Sequence, residues 1–263
     1  MLFFLFILGC AIGSFLNVLI DRLPNEESIN GRSHCDSCKK TIAPYDLIPV
    51  LSYILLKGKC RYCHKKLSIQ YPLIELLTGV IFTLIVYFSP FARPLLEGQF
   101  FIPHMVQLGI YLAAASCFVV IFFADVKYQI IPDEMQVGLL VLVLFQKIID
   151  TVTVMQLGSS LFAAMVTMAP ILFLYLITRG RGMGFGDVKL SFIVGFLLGI
   201  KGGLSALYIA FVLGAVVGIY FLILKKKKMK SKIAFGPFIV LGTVMIILFQ
   251  QEVFDLVKRI YGF

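Results

Sequence analysis

The sequence predicts an all-α, polytopic membrane fold of about eight transmembrane helices carrying one small, cysteine-bearing loop domain. Three observations predict it. Hydrophobic residues fill 60% of the 263 positions and charged residues only 14%, with a mean hydropathy of +0.96; soluble domains keep charge near a quarter of their length. Apolar runs recur close to the roughly 20 residues that cross the hydrocarbon at about 1.5 Å per residue. The basic residues gather between those runs.

In order, helices are expected over 1–20, 71–90, 105–124, 134–149, 155–178, 188–200, 203–224 and 236–257. The first runs apolar from Met1 to Ile20 with no Lys or Arg before Arg22. It lacks the basic n-region and small-residue cleavage site of a secretory signal peptide, so a retained span is expected. Asp21, Arg22 and Pro24 close it. The fourth and sixth helices are short for a full crossing, a shortfall that tilt or Gly-rich turns can take up.

Charge sets the orientation. Segments 21–70, 124–133, 179–189 and 225–232 hold nine, one, three and six Lys and Arg, nineteen in all, against five on the opposite side: Arg93, Lys147, Lys201, Lys258 and Arg259. The positive-inside rule puts the first set in the cytoplasm and both termini outside. The net charge of +10 would suggest nucleic acid in a soluble protein. Here it serves topology and anionic headgroups, as in the run Lys225–Lys228 extended by Lys230 and Lys232. The expected surroundings are a lipid bilayer, with no nucleic-acid partner.

After the first helix (1–20), residues 21–70 form the one domain outside the membrane, facing the cytoplasm. Fifty residues cannot supply a self-sufficient apolar core. Cys35-Asp-Ser-Cys38, twenty-one further residues and Cys60-Arg-Tyr-Cys63 offer the staple. Two such knuckles match the zinc-ribbon pattern, one residue beyond its usual spacing. Cys35, Cys38, Cys60 and Cys63 as thiolates complete a closed tetrahedral site for a structural zinc, with no position left for substrate. Two disulfides are the rival, disfavoured in the reducing cytoplasm. His34 and His64 flank the knuckles but four cysteines make them unnecessary. Cys10 and Cys117 read as small core residues.

Acidic residues in or beside spans are costly and mark function. Asp125 closes the third span, in Phe123-Ala-Asp125, and Asp187 opens the sixth, in Gly182-Met-Gly184-Phe-Gly186-Asp187. The topology brings both to the cytoplasmic level. Two neighbouring carboxylates share a proton, so one activates water while the other protonates the scissile amide. The competing roles are helix N-caps for Asp187 and Asp133, and a pairing of Asp125 with Lys127.

These pieces together resemble the type IV prepilin peptidase family. The resemblance is carried by Gly13-Ser-Phe-Leu-Asn-Val-Leu-Ile-Asp-Arg-Leu-Pro24, the paired knuckles, Leu47-Ile-Pro-Val-Leu-Ser-Tyr53 and Gly58-Lys-Cys60. It continues through Tyr71-Pro-Leu-Ile-Glu75, Asp125 with Ile131-Pro-Asp133, and Gly184-Phe-Gly-Asp187, spanning residues 9–189 in the family's order. It implies that Asp125 and Asp187 are the catalytic pair, Asp187 in a GxGD motif shared with presenilin-type proteases. It makes 71–263 a membrane-embedded GxGD aspartic peptidase domain. It implies cleavage of a short basic leader after a glycine, in type IV prepilin or pseudopilin substrates. Members with the cysteine loop commonly also methylate the new N-terminal amine from S-adenosylmethionine. No donor-binding residues are legible. Glu75, at the junction of loop and membrane, can orient an amine or serve as a snorkelling carboxylate.

Other readings stay open on the residues alone. A peptidase without methyltransferase activity fits the same aspartates. A transporter could line an ion path with Asp125 and Asp187, although no repeat symmetry and no midplane acid supports it. A non-enzymatic assembly factor could use the zinc loop for docking.

Overall fold

The computed structural model describes residues 2–35, 37–88, 102–149, 154–224 and 234–261. Among them there is no β-strand. The long helices are α1 (Leu2–Arg22), α3 (Gln70–Phe88), α4 (Ile102–Tyr128), α5 (Asp133–Ile149), α6 (Val154–Thr178), α7 (Phe185–Ile223) and α8 (Gly236–Tyr261), with α2 (Leu51–Leu55) a short turn in the cysteine loop. The run from Lys225 to Lys232 and Arg93 lie outside the described residues.

α7 is two helices joined at Gly199, whose φ of 74° and ψ of −179° fall where only glycine is at ease. A Cβ there would touch nothing within 4 Å, so conformation and not crowding requires the glycine. With α7 counted as two, the eight expected helices are present. Five helices are long and apolar enough to cross a bilayer: α1, α3, α4, α6 and α7. The 17 residues of α5 rise only about 26 Å, and α8 is interrupted at Phe249.

The outward faces are apolar. Phe3, Phe4, Phe173, Leu176, Ile177 and Ile223 are all exposed. Such a surface is unworkable in water and ordinary in lipid. The protein is a multi-pass membrane protein.

The chain forms two compact units, Met1–Val120 and Ile121–Phe263. In the first, α1 and α3 approach closely enough to exclude a side chain. A Cβ on Gly9 would stand 2.7 Å from Gly79 Cα, and one on Gly13 2.8 Å from Glu75 Cα. Lipid supplies no hydrophobic drive between helices, so such small-residue contacts carry the association. In the second unit, α6 meets α7 in the same way: a Cβ on Gly195 would stand 2.6 Å from Thr167 Cβ.

Gly9→Leu should therefore force α1 from α3 and cost on the order of 1–3 kcal/mol of stability. Gly109→Ala, whose Cβ would meet nothing within 4 Å, should be neutral. Thermal unfolding in detergent measures both; equal transition temperatures would contradict the close packing.

Candidate functional site

The cysteine loop folds as two copies of one turn. Cys35 N–H donates to Lys40 O and Lys39 N–H to Cys35 O; twenty-five positions on, Cys60 N–H donates to Lys65 O and His64 N–H to Cys60 O. Lys39 and His64 both take positive φ, at 57° and 56°. Isolated bridges His34–Thr41 and Lys59–Lys66 close the two turns. Each turn thus delivers two sulfurs to the same point.

The four sulfurs of Cys35, Cys38, Cys60 and Cys63 lie within 4.8 Å of one another, in a cluster that takes in neither His34 nor His64. Cys35 Sγ and Cys63 Sγ are 3.8 Å apart. Zn–S bonds of about 2.3 Å give a tetrahedron with edges of about 3.8 Å, whereas a disulfide closes to about 2.05 Å. All six cysteines are free thiols. Amide hydrogen bonds from Cys63 and Tyr62 pull the Cys60 thiol down to about 7. Cys63 is pushed up to about 11: the Lys65 amide works against the rise, but desolvation and the Cys60, Cys38 and Cys35 sulfurs outweigh it. Crowded sulfurs resist a second negative charge, which is the repulsion a divalent cation removes. The donor set and its geometry fit a metal.

Asp125 lies in the last turn of α4 and Asp187 in the first turn of α7. Both are buried, at 5% and 7% exposure. Asp125 Oδ2 accepts from Gly236 N–H at 2.9 Å, one of the amides that the start of α8 leaves without a helical partner. A Cβ at Gly236 would stand 2.8 Å from that oxygen, so the residue must be glycine for the carboxylate to sit there.

Asp187 is not the N-cap of its helix. It is the third residue, and its Oδ2 reaches back to accept from Gly184 N–H at 3.1 Å, the carboxylate half of a capping box. Its Oδ1 is buried and, among the described residues, has no hydrogen-bond partner. The two carboxylates are within electrostatic reach of each other. Ile131 ties their supports together, since Cβ atoms on Gly186 and Gly236 would stand 3.2 Å from Ile131 Cβ and 2.9 Å from Ile131 Cδ1.

Two further supports escaped the sequence. Gln136 is buried on α5, and its Nε2 donates to Gly186 O at 3.2 Å, pinning the residue before Asp187. Asp133, at the start of α5, takes Lys189 Nζ at 2.7 Å on both oxygens. Only the polarity of Gln136 within an apolar helix could have signalled it.

Residues 7–89 match the model of the bacterial peptidase A24 N-terminal domain, and residues 112–219 that of the type IV leader peptidase family. The chain belongs to the type IV leader peptidase family. Family relatives carry the name prepilin leader peptidase/N-methyltransferase. The one from Bacillus subtilis (strain 168) is 29% identical over 258 residues, covering 96% of each chain. That from Neisseria gonorrhoeae is 31% identical over 260 residues, 88% of this chain and 84% of its own. That from Pectobacterium carotovorum subsp. carotovorum is 30% identical over 264 residues, 90% and 89%. No solved structure matches. Within this leader peptidase, both matched segments contain a cluster described above: the four sulfurs in the first, both aspartates in the second.

The purified protein should carry about one zinc per chain, bound by four thiolates. Elemental analysis checks this, and Cys35→Ser should lose the metal and expose the 21–70 loop to protease while leaving the helices intact. No metal, with thiols unreactive until reduced, would establish disulfides instead.

Proposed function

We propose that this leader peptidase cleaves the basic leader of type IV prepilins or pseudopilins, with Asp125 and Asp187 as its catalytic dyad. One observation carries the reading: two buried carboxylates within electrostatic reach, each fixed by a glycine amide, with Asp187 Oδ1 left unpartnered. Structural acids are normally satisfied by a cation or a full set of donors. These are instead held in orientation with capacity to spare.

The chemistry follows from two carboxyls sharing one proton. The ionised member takes a proton from water as the water oxygen attacks the scissile carbonyl carbon. The protonated member gives its proton to the carbonyl oxygen. When the tetrahedral intermediate collapses, the C–N bond breaks and the leaving nitrogen takes a proton from the dyad. Fixed Oδ2 atoms keep both Oδ1 atoms from rotating away, the preorganisation that such a step requires.

An apolar groove of about 440 Å³ runs between α5, α6 and the start of α7, lined by Val137, Leu140, Met168, Leu172, Val188 and Phe192. It suits the hydrophobic helix that follows the scissile bond. The positive-inside count favours a site on the cytoplasmic face, where the same rule retains a basic leader. The sulfurs hold a structural zinc, which supplies no chemistry and orders the loop. The names of the relatives support a second activity, N-methylation of the new terminus with S-adenosylmethionine as donor.

Asp125→Asn and Asp187→Asn should each lose leader cleavage by about 10⁴-fold or more, because an amide can neither carry nor share the proton. Asp133→Asn, which removes only an exposed ion pair, should stay within a few-fold. Gly236→Ala should fall between. Cleavage of a purified prepilin in detergent, followed by mass spectrometry, reads all four; near-normal processing by either dyad variant would falsify the assignment. The same spectra should show the mature terminus heavier by one methylene when donor is supplied.

A further inference from the structure

A cavity of about 210 Å³ lies in the first unit between α1, the start of α3 and the cysteine loop, lined among others by Asn17, Arg22, Leu56, Arg61 and Glu75. Its positive charges are already committed. Arg22 Nη1 donates to the carbonyls of Ser28, Ile29 and Asn30, and its Nη2 to that of Arg32. Arg61 is clamped on Asp46 through Nε and Nη2, at 2.8 and 2.6 Å. Glu75 is different. It is buried at 8% exposure, and its partners are neutral: Val50 N–H at 2.7 Å on Oε2 and the Ser14 hydroxyl. Among the described residues it has no ion-pair partner.

Beside it, Asn17 Nδ2 donates to Tyr71 O at 3.1 Å and Gly13 O at 3.3 Å. This leaves Asn17 Oδ1 buried and, among the described residues, without a hydrogen-bond partner, at 5% exposure of the residue. An uncompensated carboxylate and an orphaned amide oxygen facing one cavity form an acceptor set. The complement is a cation with several N–H donors, and a primary ammonium has three.

We propose that this cavity is the amine site of the methyl transfer and that Glu75 there holds the α-ammonium of the newly cut N-terminus. The proposal rests on the methyltransferase half of the function above. Glu75 takes one proton from the ammonium, leaving a neutral amine. The amine lone pair forms a bond to the methyl carbon of the sulfonium donor as the C–S bond breaks, and its electrons remain on sulfur as a thioether. The product is a secondary ammonium, and Glu75 returns its proton to solvent. Asn17 Oδ1 orients the nitrogen.

Glu75→Gln in the full chain tests this, because the amide keeps an acceptor for Val50 N–H and loses only the charge. With pre-cleaved pilin and S-adenosylmethionine, methylation should fall about tenfold or more through a raised KM for pilin and a lowered kcat, with donor binding in equilibrium dialysis within about twofold of wild type. Unchanged methylation overturns the proposal. So does loss of donor binding with an unchanged KM for pilin, which would make the bound cation the sulfonium. A second readout needs no transfer at all: phenylalaninamide should protect Glu75 of the wild-type protein from a hydrophobic carbodiimide, and N-acetylphenylalaninamide should not. Leu56→Trp, which fills the cavity without touching the carboxylate's charge, should abolish the binding of phenylalaninamide. If wild type transfers no methyl group yet shows this protection, the methyltransferase reading fails and the ammonium site stands. Equal labelling with and without phenylalaninamide overturns the site itself.

Discussion

A buried carboxylate must find hydrogen-bond donors, and the aspartate pair finds them on the unpaired amides where helices begin. The start of α8 offers Gly236 N–H to Asp125, and the residue before α7 offers Gly184 N–H to Asp187. Helix starts always leave such amides over. At Gly236 the amide serves a side chain of another helix, α4, and a Cβ there would stand 2.8 Å from the Asp125 oxygen, so that approach requires a glycine. Ile131 then fills the space that Gly186 and Gly236 leave open, and Gln136 fixes the carbonyl of Gly186 from a third helix. The proposed cleavage chemistry depends on the same constraint, since carboxyls free to rotate would not hold a shared proton in line with a peptide bond.

The first unit solves a different problem with the same material. Gly9, Gly13 and Gly79 let α1 and α3 touch, which places Asn17 and Glu75 beneath the cysteine loop. That loop is too small to hold itself together by apolar burial. Two repeated turns bring four sulfurs to one point, so a metal can do what a core cannot. Outside both units the apolar surface meets lipid, and the interior is reserved for small residues and a few polar groups whose positions matter.

Much of this was legible in the chain. Periodicity and length marked the helices, and the shortness of the run ending near Ile200 anticipated the break at Gly199. Knuckle spacing announced that Cys35, Cys38, Cys60 and Cys63 would meet. The rarity of acids in apolar surroundings singled out Asp125 and Asp187, and the family resemblance drew attention to Glu75. What stayed hidden are contacts between residues far apart in sequence. Gly236 lies 111 positions from Asp125, Gln136 fifty from Gly186, and Val50 twenty-five from Glu75. A glycine in an apolar run has many uses, and nothing local says that its amide serves a distant carboxylate. Between the competing roles of Asp187, the N-cap fails on the position of the helix start: cap and reach-back positions differ by three residues, and only the true start of the helix tells them apart.

The central claim is that Asp125 and Asp187 act as one unit, and a double-variant comparison tests it most directly. Prepilin cleavage rates would be measured for Asp125→Asn, Asp187→Asn and the two combined, each at saturating substrate. Residues that share a proton are non-additive, so the double variant should be no slower than either single one. Losses that multiply, with each single variant keeping measurable turnover of its own, would mean two independent contributions and contradict the dyad.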